Sequence, residues 1–405
     1  MLVTLVLVIV MVEFSFGAPV KEKQFFNRVE ELDKLIRRTG KITQGIRNDV
    51  AIIGPRRVGK SSLTNKLAEQ LTEKGITVIQ MDCEGLTPQI FLREYSNAVI
   101  AAEVEKHNLV QKFRESLKQG VSTSIAILSE ALGRIKSIEI TSPLAEFLVF
   151  RIEMEKTSES ELRGEKLMDF LQQTLELPEK LGSKFTVIFD EFQETSKYNV
   201  LQKGDFHALF RRSTQHQKNV CYVYTGSSIG MMEKIFGDQN NPLAGNADIL
   251  PVEPFSEENS KAFLTLGLKQ AGIKLEEKAL NFIVDKTGGF PAYLNWIGLR
   301  LIDKGEKNIS EAQAKETFDQ MLSPASPIYQ NISKQLVKLG PLTKKILKII
   351  ALGNVDPLKI QKEANARNVY VYLDRLQKYG LVKKRENKFY LIDPAMKKGL
   401  VENIF

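Results

Sequence analysis

The chain has 405 residues, 43% apolar and 26% charged, the composition of a soluble globular protein with room for two or three domains, each with its own core. Only two cysteines, Cys83 and Cys221, are present, which excludes a disulfide scaffold and suggests small core residues in a reducing compartment; His107, His207 and His216 lack zinc-ligand spacing. The net charge of +8 is uneven: residues 331–405 carry 16 Lys and Arg against 6 Asp and Glu (+10), leaving 41 against 43 (−2) on the first 330, and a surplus confined to one module points to a polyanion partner such as nucleic acid.

Met1 to Val12 is almost wholly aliphatic and is followed by Glu13, Phe14 to Pro19, Lys21 and Lys23. It resembles a secretory signal but has no positive start. As a helix, Leu2 to Val12 would span about 16 Å, short of a bilayer's roughly 30 Å core, and extension to Val20 would bury Glu13. Residues 1–20 are therefore expected to be a start-site artefact or a packed or disordered extension first, a membrane anchor second and a cleaved signal third. The charges that follow would keep the rest of the chain cytoplasmic.

Val50 to Ile53 is an apolar strand leading into Gly54-Pro55-Arg56-Arg57-Val58-Gly59-Lys60-Ser61, with a helical pattern from Ser62 to Leu71. The spacing G-x4-G-K-[ST] between strand and helix is a phosphate loop, in which glycines let backbone N–H groups turn toward phosphates at a helix N-terminus. Lys60 is expected to reach the β- and γ-phosphates and Ser61 to ligate Mg²⁺, so the ligands called here are ATP and Mg²⁺.

Further strands are expected at Thr77 to Met81, Phe185 to Phe189, Val220 to Tyr224 and Ile249 to Val252, alternating with helices. This predicts an α/β fold, a P-loop NTPase core with a parallel five-stranded sheet, over residues 21–253. A helical insertion of about 100 residues, 84–184, is far longer than an ordinary crossover; it holds helical patterns at Gln89 to Lys118 and Glu165 to Leu181, while Ser122 to Glu161 yields no site. Phe185 to Phe189 delivers Asp190 and Glu191, a Walker B pattern in which Asp190 holds Mg²⁺ and Glu191 orients and deprotonates water. The next strand ends in Thr225-Gly226-Ser227-Ser228, where Thr225 or Ser227 could sense the γ-phosphate; a plain helix-capping turn explains the same residues. Arg211 and Arg212 are candidates for an arginine acting across an oligomer, and solvated surface charge is their simpler reading.

After Pro254 the pattern is helical, a lid over 254–322, followed by a linker at 323–340 containing Ser323-Pro324-Ala325-Ser326-Pro327. Leu342 to Leu352, Asp356 to Ala364 and Arg367 to Tyr379 are expected helices, and Leu381 to Lys384 and Lys388 to Ile392 strands: a winged helix-turn-helix over 341–405. Arg367, Asn368, Arg375 and Lys378 could face a DNA groove, with Lys383, Lys384, Arg385 and Lys388 on phosphates. A structural module docked on the core is the alternative.

Together, Phe26-Asn27-Arg28-Val29-Glu30-Glu31-Leu32, the phosphate loop with its Arg56-Arg57 pair, Asp190-Glu191, Thr225 to Ser228, Pro242-Leu243-Ala244-Gly245 and Gly288-Gly289-Phe290-Pro291 resemble the STAND class of AAA-like ATPases. Within it, the chain is similar to the archaeal ATPase family that couples such a module to a winged helix, over residues 25–405. The resemblance implies that Phe26, Asn27 and Arg28 line the adenine pocket, that the loop through Ser62 holds the phosphates, and that Pro291 closes over the base. The chain departs from the family's pattern in its aliphatic leader and in Asn27, where glycine or aspartate is frequent. It also lacks a clear lid arginine at the sensor position, which argues against a replication initiator. The expected function is an ATP-binding, slowly hydrolysing cytoplasmic switch with a DNA or protein partner, oligomerisation being left open. A DNA-binding regulator with ATP as structural ligand, and an ATPase anchored through residues 1–20, are the alternatives.

Overall fold

The strand β1 (Val50–Ile53) is buried at every position, as a parallel strand covered on both faces must be. It lies inside a five-stranded sheet with β2 (Thr77–Asp82), β3 (Phe185–Asp190), β4 (Val220–Gly226) and β5 (Asp248–Pro251), ordered β2-β3-β4-β1-β5 and parallel throughout. The computed structural model describes residues 12–17, 25–106, 143–158, 161–198 and 206–405. All five expected strands are present, three of them running one or two residues further than the apolar run, because ladder pairing carries polar ends such as Asp190.

Side-chain alternation along β1 divides the interior into two cores. Val50 and Ile52 join one with α1 (Val29–Thr39) and α2 (Lys60–Glu73). Ala51 and Ile53 join the other, covered by α3 (Pro88–Lys106), α4 (Pro143–Lys156), α5 (Gly164–Lys180) and α6 (Phe206–Thr214). The described parts of the long connection between β2 and β3 are thus mainly helical; residues 107–142, including the rest of the expected helix to Lys118, lie outside the described residues.

Beyond α7 (Ile229–Gly237) and β5, a helical unit is formed by α8 (Glu257–Gln270), α9 (Glu277–Thr287), α10 (Pro291–Asp303) and α11 (Glu311–Met321), with a small parallel pair, β6 (Lys274–Leu275) and β7 (Asn308–Ile309). Residues 323–340, expected to be a linker, instead carry α12 (Pro327–Val337), with Ile328, Ile332 and Leu336 buried. Ser326 caps that helix and Pro327 is its first residue, so the Ser-Pro step starts a helix rather than breaking the chain. The three expected C-terminal helices follow as α13 (Pro341–Ala351), α14 (Pro357–Ala364) and α15 (Val369–Lys378), then an antiparallel hairpin, β8 (Val382–Arg385) with β9 (Lys388–Leu391). Sequence reading missed α16 (Pro394–Val401), capped by the Asp393 carboxylate.

The C-terminal unit rests on the core: α15 packs on α7, and a Cβ at Gly230 would lie 3.4 Å from the Gln377 carbonyl oxygen. Residues 12–17 are also packed, with Val12 and Phe14 buried against the helical unit. Residues 1–11 and 18–24 lie outside the described residues, and no described helix is long and apolar enough to cross a membrane.

The path from β5 into α10 depends on Gly289, which has φ +73° and stands so close to Phe255 that a Cβ would meet its carbonyl oxygen at 2.1 Å. Gly305 has a similar φ of +70° with open space around it. Gly289→Ala should therefore cost about 2 kcal/mol or more and Gly305→Ala about 1 kcal/mol. Equal shifts of the two melting temperatures would contradict this packing.

Candidate nucleotide-binding and hydrolysis site

The phosphate loop leaves β1 at Gly54, where any Cβ would stand 2.2 Å from the Val252 carbonyl oxygen just past the end of β5. Arg57 and Gly59, with φ of 71° and 93°, turn the loop into the N-terminus of α2. Such an N-terminus presents free N–H groups and the positive end of the helix dipole. Lys60, buried at that point, folds back to donate to the carbonyls of Gly54 (2.9 Å) and Pro55 (3.0 Å). Burial holds its pKa down to about 8, with Glu191 and Asp190 opposing the shift.

Sheet order then brings the carboxylates and hydroxyls together. Because β4 lies between β1 and β3, the residues ending β4 fall between the loop and the carboxylates. Asp190 accepts from Ser61 Oγ at 3.0 Å and from Thr225 Oγ1. Glu191, left-handed at φ 48°, turns away from the strand and accepts on Oε2 from Ser227 Oγ at 2.7 Å and from Gln193 Nε2. Arg56 donates to Ser227 Oγ at 3.2 Å and reaches Glu84 at 3.4 Å. Asp82, in register with Asp190, is a further carboxyl near the site, raised first by its burial and then by Asp190.

A cavity of about 400 Å³ runs from this polar end to an aromatic one. Arg56, Gly59, Lys60, Ser61, Ser62 and Glu191 line the first. Phe26, Phe255 and Phe263 form the second, their ring centroids 5.3 to 5.9 Å apart. Pro291 and Asn295, one turn apart on α10, share the wall with Ser15, Phe16 and Gly17. Cationic and N–H groups at one end with aromatic rings at the other suit an amphipathic ligand whose anionic tail and flat apolar head match a nucleotide.

Of the predicted residues, Arg57, Val58, Phe26, Arg28 and Pro291 also line the cavity, whereas Gly54, Pro55 and Asn27 do not. The first two act through their carbonyls, and Asn27 is a left-handed turn residue with φ 61°. Arg28 is buried under Phe255, with its guanidinium bonded to the Val58 carbonyl at 3.2 Å and to that of Glu253, so it braces the loop. Arg57 reaches the other way, donating to Tyr293 Oη at 2.7 Å and Asp393 Oδ2 at 2.9 Å. Sequence reading missed Asn295, Tyr293, Phe255, Phe263 and Asp393. Of these, only Asn295 carried a signal, its i+4 spacing from Pro291.

Arg211 donates to the Pro242 carbonyl at 2.6 Å and Arg212 to Gln172 at 3.2 Å, both on the surface. In the C-terminal unit Arg367, Asn368, Arg375, Lys384, Arg385 and Lys388 are exposed and Lys383 half-buried. Lys378 pairs with Asp374 at 2.6 Å, and Asp374 also faces Lys234 of α7 at 3.7 Å, so the C-terminal half of α15 faces the core.

A phosphate loop after β1, a carboxylate pair after β3 and hydroxyls between them on a parallel sheet define a P-loop ATPase. The chain belongs to the family described as an ATPase domain predominantly from Archaea, which matches residues 25–297. No curated relative matches the chain. Its fold is similar to that of the Walker-type ATPase PABY2304 of Pyrococcus abyssi, 22% identical with a TM-score of 0.67, covering 96% of this chain and 99% of that one. It is also similar to the Aeropyrum pernix ORC2 protein, solved in ADPNP–ADP complexes, at 14% identity and a TM-score of 0.51, covering 95% of this chain and 96% of that one.

Thr225 bonds Asp190 without lining the cavity. Thr225→Val should slow ATP hydrolysis by about 10- to 100-fold while leaving ATP affinity within about threefold, and Thr225→Ser should restore the rate. Single-turnover phosphate release with parallel nucleotide titrations reads both effects.

Proposed function

We propose that this ATPase is a slowly hydrolysing switch of the STAND class, in which nucleotide state controls a C-terminal winged helix over residues 341–405. The observation that carries this reading is Arg57. One side chain of the phosphate loop is bonded to Tyr293 of the helical unit, here read as the lid, and to Asp393 of the C-terminal unit. A change in the loop on binding phosphates is therefore felt directly by both. Burial and the adjoining Asp393 carboxylate hold the Tyr293 phenol well above its ordinary value, so it remains a donor in this cluster.

The residues fit Mg²⁺ as well as ATP, since Ser61 Oγ and Asp190 already meet at 3.0 Å and would be the two protein groups holding the ion. Bound there, Mg²⁺ would neutralise charge on the phosphate oxygens. Lys60 would leave the loop carbonyls for the β- and γ-phosphates. Glu191, released from Ser227 and Gln193, would orient a water and take its proton, while Thr225 keeps Asp190 in place. Ser227, bonded to both Glu191 and Arg56, is the sensor this arrangement favours. A cytoplasmic location accompanies this reading, since the switch consumes ATP.

The partner is proposed to be a polyanion such as DNA, supported by the surplus of +10 in residues 331–405. The exposed Arg367, Lys384, Arg385 and Lys388 would bear on its phosphates. Lys378, held by Asp374 beside α7, would be released for phosphate contacts when the unit swings away.

Glu191→Gln should bind ATP and lose phosphate release by about 100-fold or more. Asp393→Asn keeps an acceptor for the α16 cap while removing the charge opposite Arg57, and should speed nucleotide release about five- to tenfold. Unchanged turnover in the first would remove Glu191 from catalysis, and unchanged release in the second would sever loop from C-terminal unit.

A further inference from the structure

Residues 12–17 precede the family match, which begins at residue 25, yet Val12 and Phe14 among them are packed as core. Val12 is 2% and Phe14 8% exposed. The Phe14 ring lies in a notch made by two glycines on different helices, Gly267 of α8 and Gly298 of α10. A Cβ at either would stand 2.4 or 2.6 Å from the ring. The ring also meets Phe263 edge-on, with centroids 5.3 Å apart. Two polar ties set the register: Val12 N donates to Gln270 Oε1 at 3.1 Å and Ser15 N to Asn295 Oδ1 at 2.8 Å. Asn295 is itself fixed, its Nδ2 donating to the Pro291 carbonyl at 2.9 Å.

Past Phe14 the segment emerges into the nucleotide cavity, which Ser15, Phe16 and Gly17 help to wall alongside Phe26, Phe263 and Asn295. The aromatic end of the site is therefore closed partly by an irregular strap formed by residues 12–17. Phe263 touches both Phe14 and Phe26, so the strap's anchor and the base-facing ring share one neighbour.

We propose that Val12 to Gly17 is a base-binding strap of the ATP site: Phe14 seats it in the Gly267–Gly298 notch, and Ser15 to Gly17, held by Asn295, contact the purine of the bound nucleotide. This deepens the ATP-binding reading and rests on it. Seating of the strap and binding of the base favour each other, because each orders the same wall. The strap's two backbone ties go to Gln270 and Asn295 of the helical unit rather than to the phosphate loop, so its loss weakens binding of ATP but not of a bare polyphosphate.

The test uses the full chain and two probes, ATP and inorganic tripolyphosphate, titrated calorimetrically. Phe14→Ser should weaken ATP by about 10- to 100-fold and leave tripolyphosphate within about twofold, with Phe14→Leu close to the parent protein. Gly298→Ala, which crowds the notch from the opposite side, should shift the two probes in the same unequal way and serves where Phe14→Ser does not fold. Full ATP affinity in a folded Phe14→Ser or Gly298→Ala protein would overturn the strap, as would equal weakening of both probes. If the parent protein binds neither probe, the phosphate-loop reading has failed instead.

Discussion

A buried guanidinium needs a partner, and the partner found by Arg57 sets how three parts of the chain sit together. Its side chain is 14% exposed and that of Asp393 15%, in a loop whose backbone belongs to the phosphate site. Leaving either charge unpaired at such a position costs about 3–5 kcal/mol, so the pair holds the C-terminal unit in one favoured seat. The same cluster includes Tyr293, whose helix begins at Pro291 on the cavity wall. Loop, helical unit and C-terminal unit are thus coupled through a few atoms rather than through a broad interface alone.

Around that constraint the site is strongly divided. At the phosphate end, polar groups satisfy one another: Lys60 on loop carbonyls, Ser61 and Thr225 on Asp190, Ser227 on Glu191. A ligand that takes over any one of these bonds frees its former partner, and the hydroxyl and carboxylate pairs are the ones a triphosphate would reorganise. At the aromatic end there is little to rearrange, since packing of Phe26, Phe255 and Phe263 fixes the wall.

The phosphate loop, the Asp190-Glu191 pair and all five strands were legible in the amino-acid sequence because each is a contiguous run whose chemistry is local: apolar residues for a buried strand, glycines for a turn, a carboxylate at a strand end. The helix at 327–337 was hidden for an equally local reason. Ser326-Pro327 punctuates a chain in the same way whether it ends one element or starts another, and only the burial of Ile328, Ile332 and Leu336 distinguishes the two.

What tertiary structure alone decided is which distant residues meet. Arg57 lies 236 positions from Tyr293 and 336 from Asp393, and Ser15 lies 280 from Asn295. No spacing rule links such pairs, since their contacts depend on how helices from separate units stack on one sheet. The sequence by itself determined that this chain has the groups to bind and cleave a nucleoside triphosphate, because those groups follow one another along the backbone. The aromatic wall of the cavity and the tie to the C-terminal unit were decided by packing, because side chains there become neighbours only after the core has closed.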